Sequence, residues 1–382
     1  MADLPGSAEC VIVGGGVVGC SLAYHLARDG MRPLLLERGD FGAGSTARCA
    51  GGVRQQFSTE VNVRVGMLSR RLLERFEDEV GATADFRPIG YLFVATDAAQ
   101  LEQLARNVEM QRAAGLHDVR LLGPGEVAGI VPDLNVDDVT GGTFCPSDGL
   151  AGPNEVTSGY VAAARRHGAR VVEGVGVDAV ERDGDAVVAV VAGGTRISSP
   201  LVVNCAGPYA AVVGAMAGVD VPVRPFRRHL FLTERFSLRR DPPMTVDMRT
   251  SFYFHPEGDG LLLGMSDPAE PPSFDTNVDW TFLEHLVEHA THRLPALEGA
   301  AIRTGWAGLY EVSPDHQAIV GESELGGFWL CCGFSGHGFM QAPAIGRILA
   351  AEITGAGSEI DLGPFAPDRF ARGASTPEAA VI

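Results

Sequence analysis

One unit at the start of the chain narrows its fold more than any other feature: a strand, a glycine turn, a helix, a second strand and an acid, all within the first 37 residues. Glu9-Cys-Val-Ile-Val13 reads as the first strand, and Gly14-Gly15-Gly16-Val17-Val18-Gly19 as the turn entering the helix. Leu34-Leu35-Leu36-Glu37 supplies the second strand and its acid. Gly14, Gly16 and Gly19 fill a G-x-G-x-x-G pattern, and Glu37 stands near the roughly 20-residue offset of a ribose-binding acid. Glycines here let the backbone approach a pyrophosphate, whose charge meets the positive N-terminus of the following helix. The unit predicts a dinucleotide site.

Cys10 to Ala27 carries no formal charge, which raises a membrane span as an alternative. The glycine run divides that stretch into pieces too short to span. Asp3 and Glu9 precede it where a secretory leader needs basic residues. A soluble, cytoplasmic protein without a transmembrane segment is expected. A net charge of −18 argues against nucleic acid and against anionic membrane surfaces as partners. The chain has no lysine, so its 30 basic residues are all arginine and lysine chemistry is excluded. Its seven cysteines form no C-x-x-C pair and are odd in number, which predicts reduced core residues. No His/Asp/Glu cluster has metal-ligand spacing, so no metal is expected.

With 382 residues the chain has room for two domains. A long helical pattern runs from Thr59 to Val80, and a pair of strands broken at Gly90 covers Asp85 to Ala95. Asp137-Asp138 reads as a solvated turn. A helix from Pro153 to His167 leads into five short strands ending at Cys205, with Asp183-Gly184 and Gly193-Gly194 as hairpin turns. Proline-rich strands follow from Val221 to Gly308, interrupted by a helix at Trp280–Arg293. Phe328–Cys332 is a second apolar strand entering a glycine loop and an apolar helix. The chain therefore has a strand, glycine loop and helix near each end. The expected fold class is α/β: a Rossmann-like nucleotide domain from residues 1–84, 146–218 and 316–366, and a mixed-sheet α+β substrate domain from 85–145 and 219–315. Residues 367–382, rich in Pro, Gly, Ser and Thr, read as a frayed tail.

Four segments add a family resemblance. They are Val11-Ile-Val-Gly-Gly-Gly-Val-Val-Gly19 with Leu36-Glu37-Arg38, Gly42 to Phe57, Val202-Val-Asn-Cys-Ala-Gly-Pro208, and Cys332-Gly-Phe-Ser-Gly-His-Gly-Phe-Met340. Over nearly its full length the chain resembles the D-amino-acid-oxidase-like superfamily of FAD-dependent oxidoreductases. The last segment, with Trp306 to Asp315, is most similar to the sarcosine oxidase and proline dehydrogenase β-subunit branch. The resemblance implies that Gly14, Gly16, Val17, Val18 and Gly19 hold the pyrophosphate, and that Glu37 and Arg38 hold the adenosine. It places Gly44, Ser45, Thr46, Ala50, Gly51 and Gly52 around the ribityl phosphate and the flavin edge. Val177 falls at adenine, and Ala206 and Gly207 at the diphosphate. Gly336, His337, Gly338, Phe339 and Met340 fall at the flavin pyrimidine, with His337 contributing backbone rather than imidazole.

The same resemblance implies removal of a hydride from a carbon beside nitrogen, in a small amine or amino acid. Arg54 is then the leading carboxylate clamp, because a guanidinium binds a carboxylate bidentately, with Arg48 second. Tyr253 and Tyr310 become pocket walls. His255 and His316 are candidate bases, with structural roles as the alternative. Gly308 stands where monomeric sarcosine oxidases carry a flavin-linking cysteine, which implies noncovalent FAD. Leu262, in Gly260-Leu-Leu-Leu-Gly264, stands where they carry an oxygen-activating lysine, which favours a quinone- or dye-like electron acceptor over oxygen. Three alternatives remain at this point: a 2-hydroxy-acid or glycerol-phosphate dehydrogenase, a flavin-bound assembly factor, and one subunit of a hetero-oligomeric dehydrogenase.

Overall fold

A computed structural model of the chain describes residues 4–380. Two sheets organise it. The first has six strands in the order Ile319–Glu322, Phe328–Cys332, Val202–Asn204, Cys10–Val13, Pro33–Leu36, Arg170–Val172. Neighbours run parallel, except that Ile319–Glu322 lies antiparallel at one edge. Strands of this kind are covered on both faces, which is why their sequences are unbroken apolar runs. Along Cys10–Val13, Cys10 and Ile12 enter one core while Val11 and Val13 enter another. Helices Val17–Arg28, Glu60–Glu74, Pro153–Arg166 and Gly338–Thr354 close the first core. Helix Ala210–Ala217 and a three-stranded sheet over 177–198 close the second.

The second sheet has eight strands in the order Ile302–Val312, Arg224–Thr233, Gly260–Met265, Tyr253–Glu257, Met244–Asp247, Tyr91–Ala95, Gly141–Cys145, Arg120–Leu122. Only the pairing of Met244–Asp247 with Tyr91–Ala95 is parallel. Side chains alternate across a strand. Phe231, Phe254, Leu261 and Leu263 therefore pack under helix Trp280–Arg293, while Tyr91, Arg228, Leu230 and Tyr253 face the nucleotide side. Asp137-Asp138 is the expected turn, with Asp137 exposed, but it is only partly solvated: Asp138 pairs with the buried Arg293 at 2.8 Å, which also holds Asp247 at 2.7 Å.

Two other expectations change. The strand pair over Asp85–Ala95 reduces to Tyr91–Ala95 and an isolated bridge from Arg87 to Leu150. Pro88 has no N–H to give a ladder, and Gly90 breaks the extended path at φ +86°. Residues 367–380 of the tail are docked rather than frayed, and 381–382 lie outside the described residues. Arg369 pairs with Asp315 at 2.8 and 2.9 Å in the interior, and Glu378 is 1% exposed. A composition poor in helix and strand formers does not prevent docking through buried polar anchors. Among the described residues no helix is long and apolar enough to cross a membrane.

Candidate active site

A cavity of about 530 Å³ lies at the C-terminal ends of the parallel strands, beneath the inward face of the second sheet. Loops leaving parallel strands at this end are where open α/β sheets bind ligands. Of the residues expected to hold the cofactor, to clamp the carboxylate or to wall the pocket, all but Gly19 line this cavity. Gly19 is set back, because its role is packing: a side chain there would overlap the Gly14 carbonyl oxygen.

Backbone shape makes one arm of the cavity. Gly14 adopts φ +111°, and a Cβ on it would overlap the Cys205 carbonyl and approach the Ala206 α-carbon to 2.9 Å. Val17 begins the helix behind Gly16, which offers no capping side chain. Thr46 supplies one from a distant loop, its hydroxyl accepting from the Val17 N–H at 3.1 Å. Glu37 accepts from the N–H of Gly15 at 2.7 Å and of Gly39 at 2.8 Å. A carboxylate offers about four lone-pair sites, so capacity remains for ribose hydroxyls. Beside Val177, the Arg38 guanidinium lies 3.6 Å over the Tyr209 ring, and Phe274 stacks on that ring at 4.5 Å.

The other arm runs between the glycine-rich loop and strand Ile302–Val312. Ser45 donates to the Leu309 carbonyl at 2.6 Å, Arg48 to that of Ala307 at 3.0 Å, and Trp306 to that of Arg48 at 3.2 Å. Those bonds commit Arg48 to holding the loop. Gly336, at φ +93°, leaves the room that the Tyr310 ring occupies. Burial pushes the phenols of Tyr91, Tyr253 and Tyr310 above their ordinary range, so all three are neutral near pH 7.

Arg54 stands apart from the other buried arginines. Arg293 and Arg369 each pair with carboxylates. Arg54 is 1% exposed, and among the described residues no carboxylate pairs with it. It donates to the Gln56 carbonyl, to His337 Nε2 at 3.0 Å and to the Ala380 carbonyl, while its Nε has no partner. Burial, reinforced by the Arg54 charge, pushes the His337 imidazole down to about 3, so the ring is neutral and can accept. The His337 imidazole is thus an acceptor for Arg54 on the cavity wall. Phe57 lies 4.3 Å beneath the guanidinium. A buried cation held only by neutral acceptors is costly unless an anion joins it.

Residues 9–352 match the family model described as FAD dependent oxidoreductase. The chain belongs to that family. Human mitochondrial sarcosine dehydrogenase is 33% identical over 386 residues, covering 96% of this chain and 42% of that protein. Human mitochondrial dimethylglycine dehydrogenase is 30% identical over 394 residues, covering 97% and 45%. The chain thus spans less than half the length of these curated relatives. The crystal structure of L-proline dehydrogenase from P. horikoshii matches with a TM-score of 0.92 and 32% identity, covering 98% of this chain and all of that one. The family resemblance drawn from the four sequence segments is borne out.

The cavity of this FAD-dependent oxidoreductase fits its cofactor class, because Gly14 holds open a cradle that one Cβ would fill and Glu37 stands beside it. Sequence reasoning missed several wall residues. Tyr91 was hidden in an ordinary alternating strand. Arg228 lies 5.2 Å over the Tyr310 ring with its Nε unpartnered. Glu311 accepts from the Gly333 N–H at 3.0 Å, and burial raises its carboxyl to about 7. Its place after Tyr310 was the only available signal. His255 and His316, the candidate bases, do not reach the cavity wall. His255 is held near 4 by burial, and its Nδ1 lies 2.9 Å from the Pro256 carbonyl.

Proposed function

We propose that the chain oxidises a small amine or amino acid, a secondary amine such as a sarcosine- or proline-like compound, with noncovalently bound FAD. The observation that carries this is Arg54: a buried guanidinium on the cavity wall that no carboxylate pairs with among the described residues. The printed names of the sarcosine and L-proline dehydrogenases support the same substrate class. In this reading Arg54 takes the substrate carboxylate, and Tyr91, Tyr253 and Tyr310 enclose its apolar body and its amine. Gly14 to Val18 with Ala206 and Gly207 hold the diphosphate, and Glu37, Arg38 and Val177 the adenosine. The loops Gly44 to Gly52 and Gly336 to Met340 hold the ring system. Bound there, FAD supplies the acceptor for a hydride from the carbon beside nitrogen. The protein's share is to orient that carbon and exclude water. The product is an imine that hydrolyses.

Gly308, which lies on the wall and offers no nucleophile, supports noncovalent attachment. Cys49 also lies there, but burial raises its thiol to about 11 and keeps it protonated. Acid precipitation should leave yellow flavin in the supernatant. Mixing the FAD-loaded protein anaerobically with a panel of amines, amino acids and 2-hydroxy acids should bleach its visible absorbance with a secondary amine or amino acid. Bleaching by hydroxy acids alone would replace the reading with a hydroxy-acid dehydrogenase, and no bleaching would remove the enzyme.

Charge supports reading the chain as a dehydrogenase rather than an oxidase. Leu262 is buried and apolar, and the four arginines of the wall are each occupied: Arg38 over the Tyr209 ring, Arg48 on the Ala307 carbonyl, Arg228 on the Arg227 carbonyl at 2.9 Å and the Tyr310 ring, and Arg54, in this reading, on the substrate carboxylate. An oxygen molecule gaining charge needs an uncommitted cation nearby. The reduced protein should therefore react slowly with oxygenated buffer in stopped flow and faster with a quinone or dye. Reaction with oxygen as fast as turnover would make it an oxidase.

A further inference from the structure

The strap 375–380 reaches the substrate end of the cavity, and nothing in the proposed reaction uses it. Ser375 donates to Asp315 at 2.6 Å, Gln317 to the Thr376 carbonyl at 3.0 Å, and the Glu378 N–H to the Asp315 carbonyl at 3.0 Å. Glu378 is the buried anchor. Its carboxylate accepts from the Ser58 N–H at 2.8 Å, from Thr59 Oγ1 at 3.0 Å and from Asn62 Nδ2 at 2.8 Å. Those donors form the start of helix Glu60–Glu74, whose N-cap Thr59 makes no cap bond of its own. A carboxylate at this end is favoured by the helix dipole. Burial raises the Glu378 pKa, but the bonds from Ser58 and Asn62 outweigh that and hold it below the usual carboxylate value. The chain then turns: the Ala379 N–H donates to Ser58 Oγ at 2.8 Å, the Ala380 N–H to Glu378 at 2.9 Å, and the Ala380 carbonyl accepts from Arg54 Nη2.

A count of protons on Arg54 decides what this contact does. A guanidinium has five N–H groups, two on each Nη and one on Nε. Both protons of Nη2 are engaged, one by His337 and one by Ala380, and one proton of Nη1 goes to Gln56. A two-point clamp on a carboxylate uses two neighbouring nitrogens, and each such edge of Arg54 includes Nη2. That edge cannot form while Ala380 keeps its bond. His337 and Gln56 sit in the interior, whereas the strap is a surface segment, so the Ala380 carbonyl is the partner able to leave.

We propose that the strap is an exchangeable latch: the Ala380 carbonyl holds the place on Arg54 that a substrate carboxylate takes, and Glu378 sets how firmly the latch is closed. The proposal rests on Arg54 being the carboxylate clamp. Two ligands that exclude each other at one group are linked reciprocally, so an entering carboxylate frees the strap and a freed strap favours the carboxylate.

The test uses the FAD-loaded protein and methoxyacetate, the oxygen isostere of N-methylglycine, which has no amine to oxidise. Hydrogen exchange at the amides of Glu378, Ala379 and Ala380 should accelerate by about fivefold or more when methoxyacetate saturates, a modest coupling between sites. Glu378→Ala should exchange quickly without ligand, and should bind methoxyacetate about fivefold tighter by its shift of the flavin absorbance. Glu378→Gln keeps an acceptor without the charge and should move both readings the same way by less, which serves if the alanine variant does not fold. Slower exchange on binding would overturn the latch, since the strap would then be closing over the ligand. Weaker or unchanged binding in a Glu378 variant whose strap exchanges freely would overturn it too. Arg54→Met keeps the two readings apart: if it binds methoxyacetate as tightly as the native protein, the clamp assignment fails. If it binds weakly while strap exchange in the native protein ignores the ligand, only the latch fails.

Discussion

Exchanging Arg54 for methionine should raise KM for carboxylate-bearing amines by tens of fold or more, while flavin content stays at the native level. Each charge-assisted hydrogen bond lost from a carboxylate is worth about 1.5–3 kcal/mol. One such bond corresponds to roughly ten- to hundredfold in an equilibrium constant. Folding should tolerate the change, because a buried cation that no carboxylate pairs with among the described residues carries a desolvation cost that methionine removes. Methionine also fills similar length against Phe57 and Phe93, over which the guanidinium now lies at 4.3 and 5.4 Å. Amines lacking a carboxylate should be affected far less, and that contrast separates a clamp from a general loss of structure. Steady-state kinetics on matched substrates, with the visible flavin band as the occupancy control, makes the comparison. A variant that turns over every substrate normally would pass the role to another wall arginine, with Arg228, whose Nε has no partner, next in order.

The second large effect is expected at Gly14. Its φ of +111° is costly for any residue with a side chain, and a methyl there would drive into the Cys205 carbonyl and the Ala206 backbone. A strained backbone position of this kind costs about 1–3 kcal/mol before any overlap is counted. The turn must shift to relieve both, and with it the backbone that faces the diphosphate. Gly14→Ala should therefore lose FAD by about a hundredfold or more in affinity, a larger drop than one lost hydrogen bond gives. Flavin fluorescence titration of the apoprotein reads the affinity, and far-ultraviolet circular dichroism shows whether the sheet persists. Native affinity in a folded variant would mean that the cradle lies elsewhere in the cavity.

Much of the cofactor end was legible before any coordinates, because each of its signals is local. Gly14, Gly16 and Glu37 announce themselves through residue type and spacing. The strands around them are continuous apolar runs, and the turns at Gly184 and Gly193-Gly194 carry the positive φ that their residues predict. The substrate end was less legible. Arg54 emerged only through family resemblance, since an arginine in a loop has no periodicity to mark it. Tyr91 and Arg228 sit on strands whose alternation shows that they face one side, without showing what lies opposite. Glu378 gave the wrong impression altogether, because a stretch rich in Pro, Ser and Thr reads as solvent-exposed until its anchors are known.

From its sequence alone the chain is committed to a dinucleotide-binding α/β unit at its start, to a mixed-sheet partner inserted within it, and to a lysine-free chemistry. Those properties follow from local conformational preference, from the period of apolar residues and from composition. Only the tertiary structure decides which side chains meet. It brings Arg54, His337 and Ala380 together across 283 and 326 positions of chain, with no carboxylate on that arginine among the described residues. It brings Thr46 to the start of helix Val17–Arg28, and Glu378 to the start of helix Glu60–Glu74. The reason is physical: burial and charge pairing are properties of position in space. A hydrogen bond between residues this far apart leaves no trace in the local pattern of either segment.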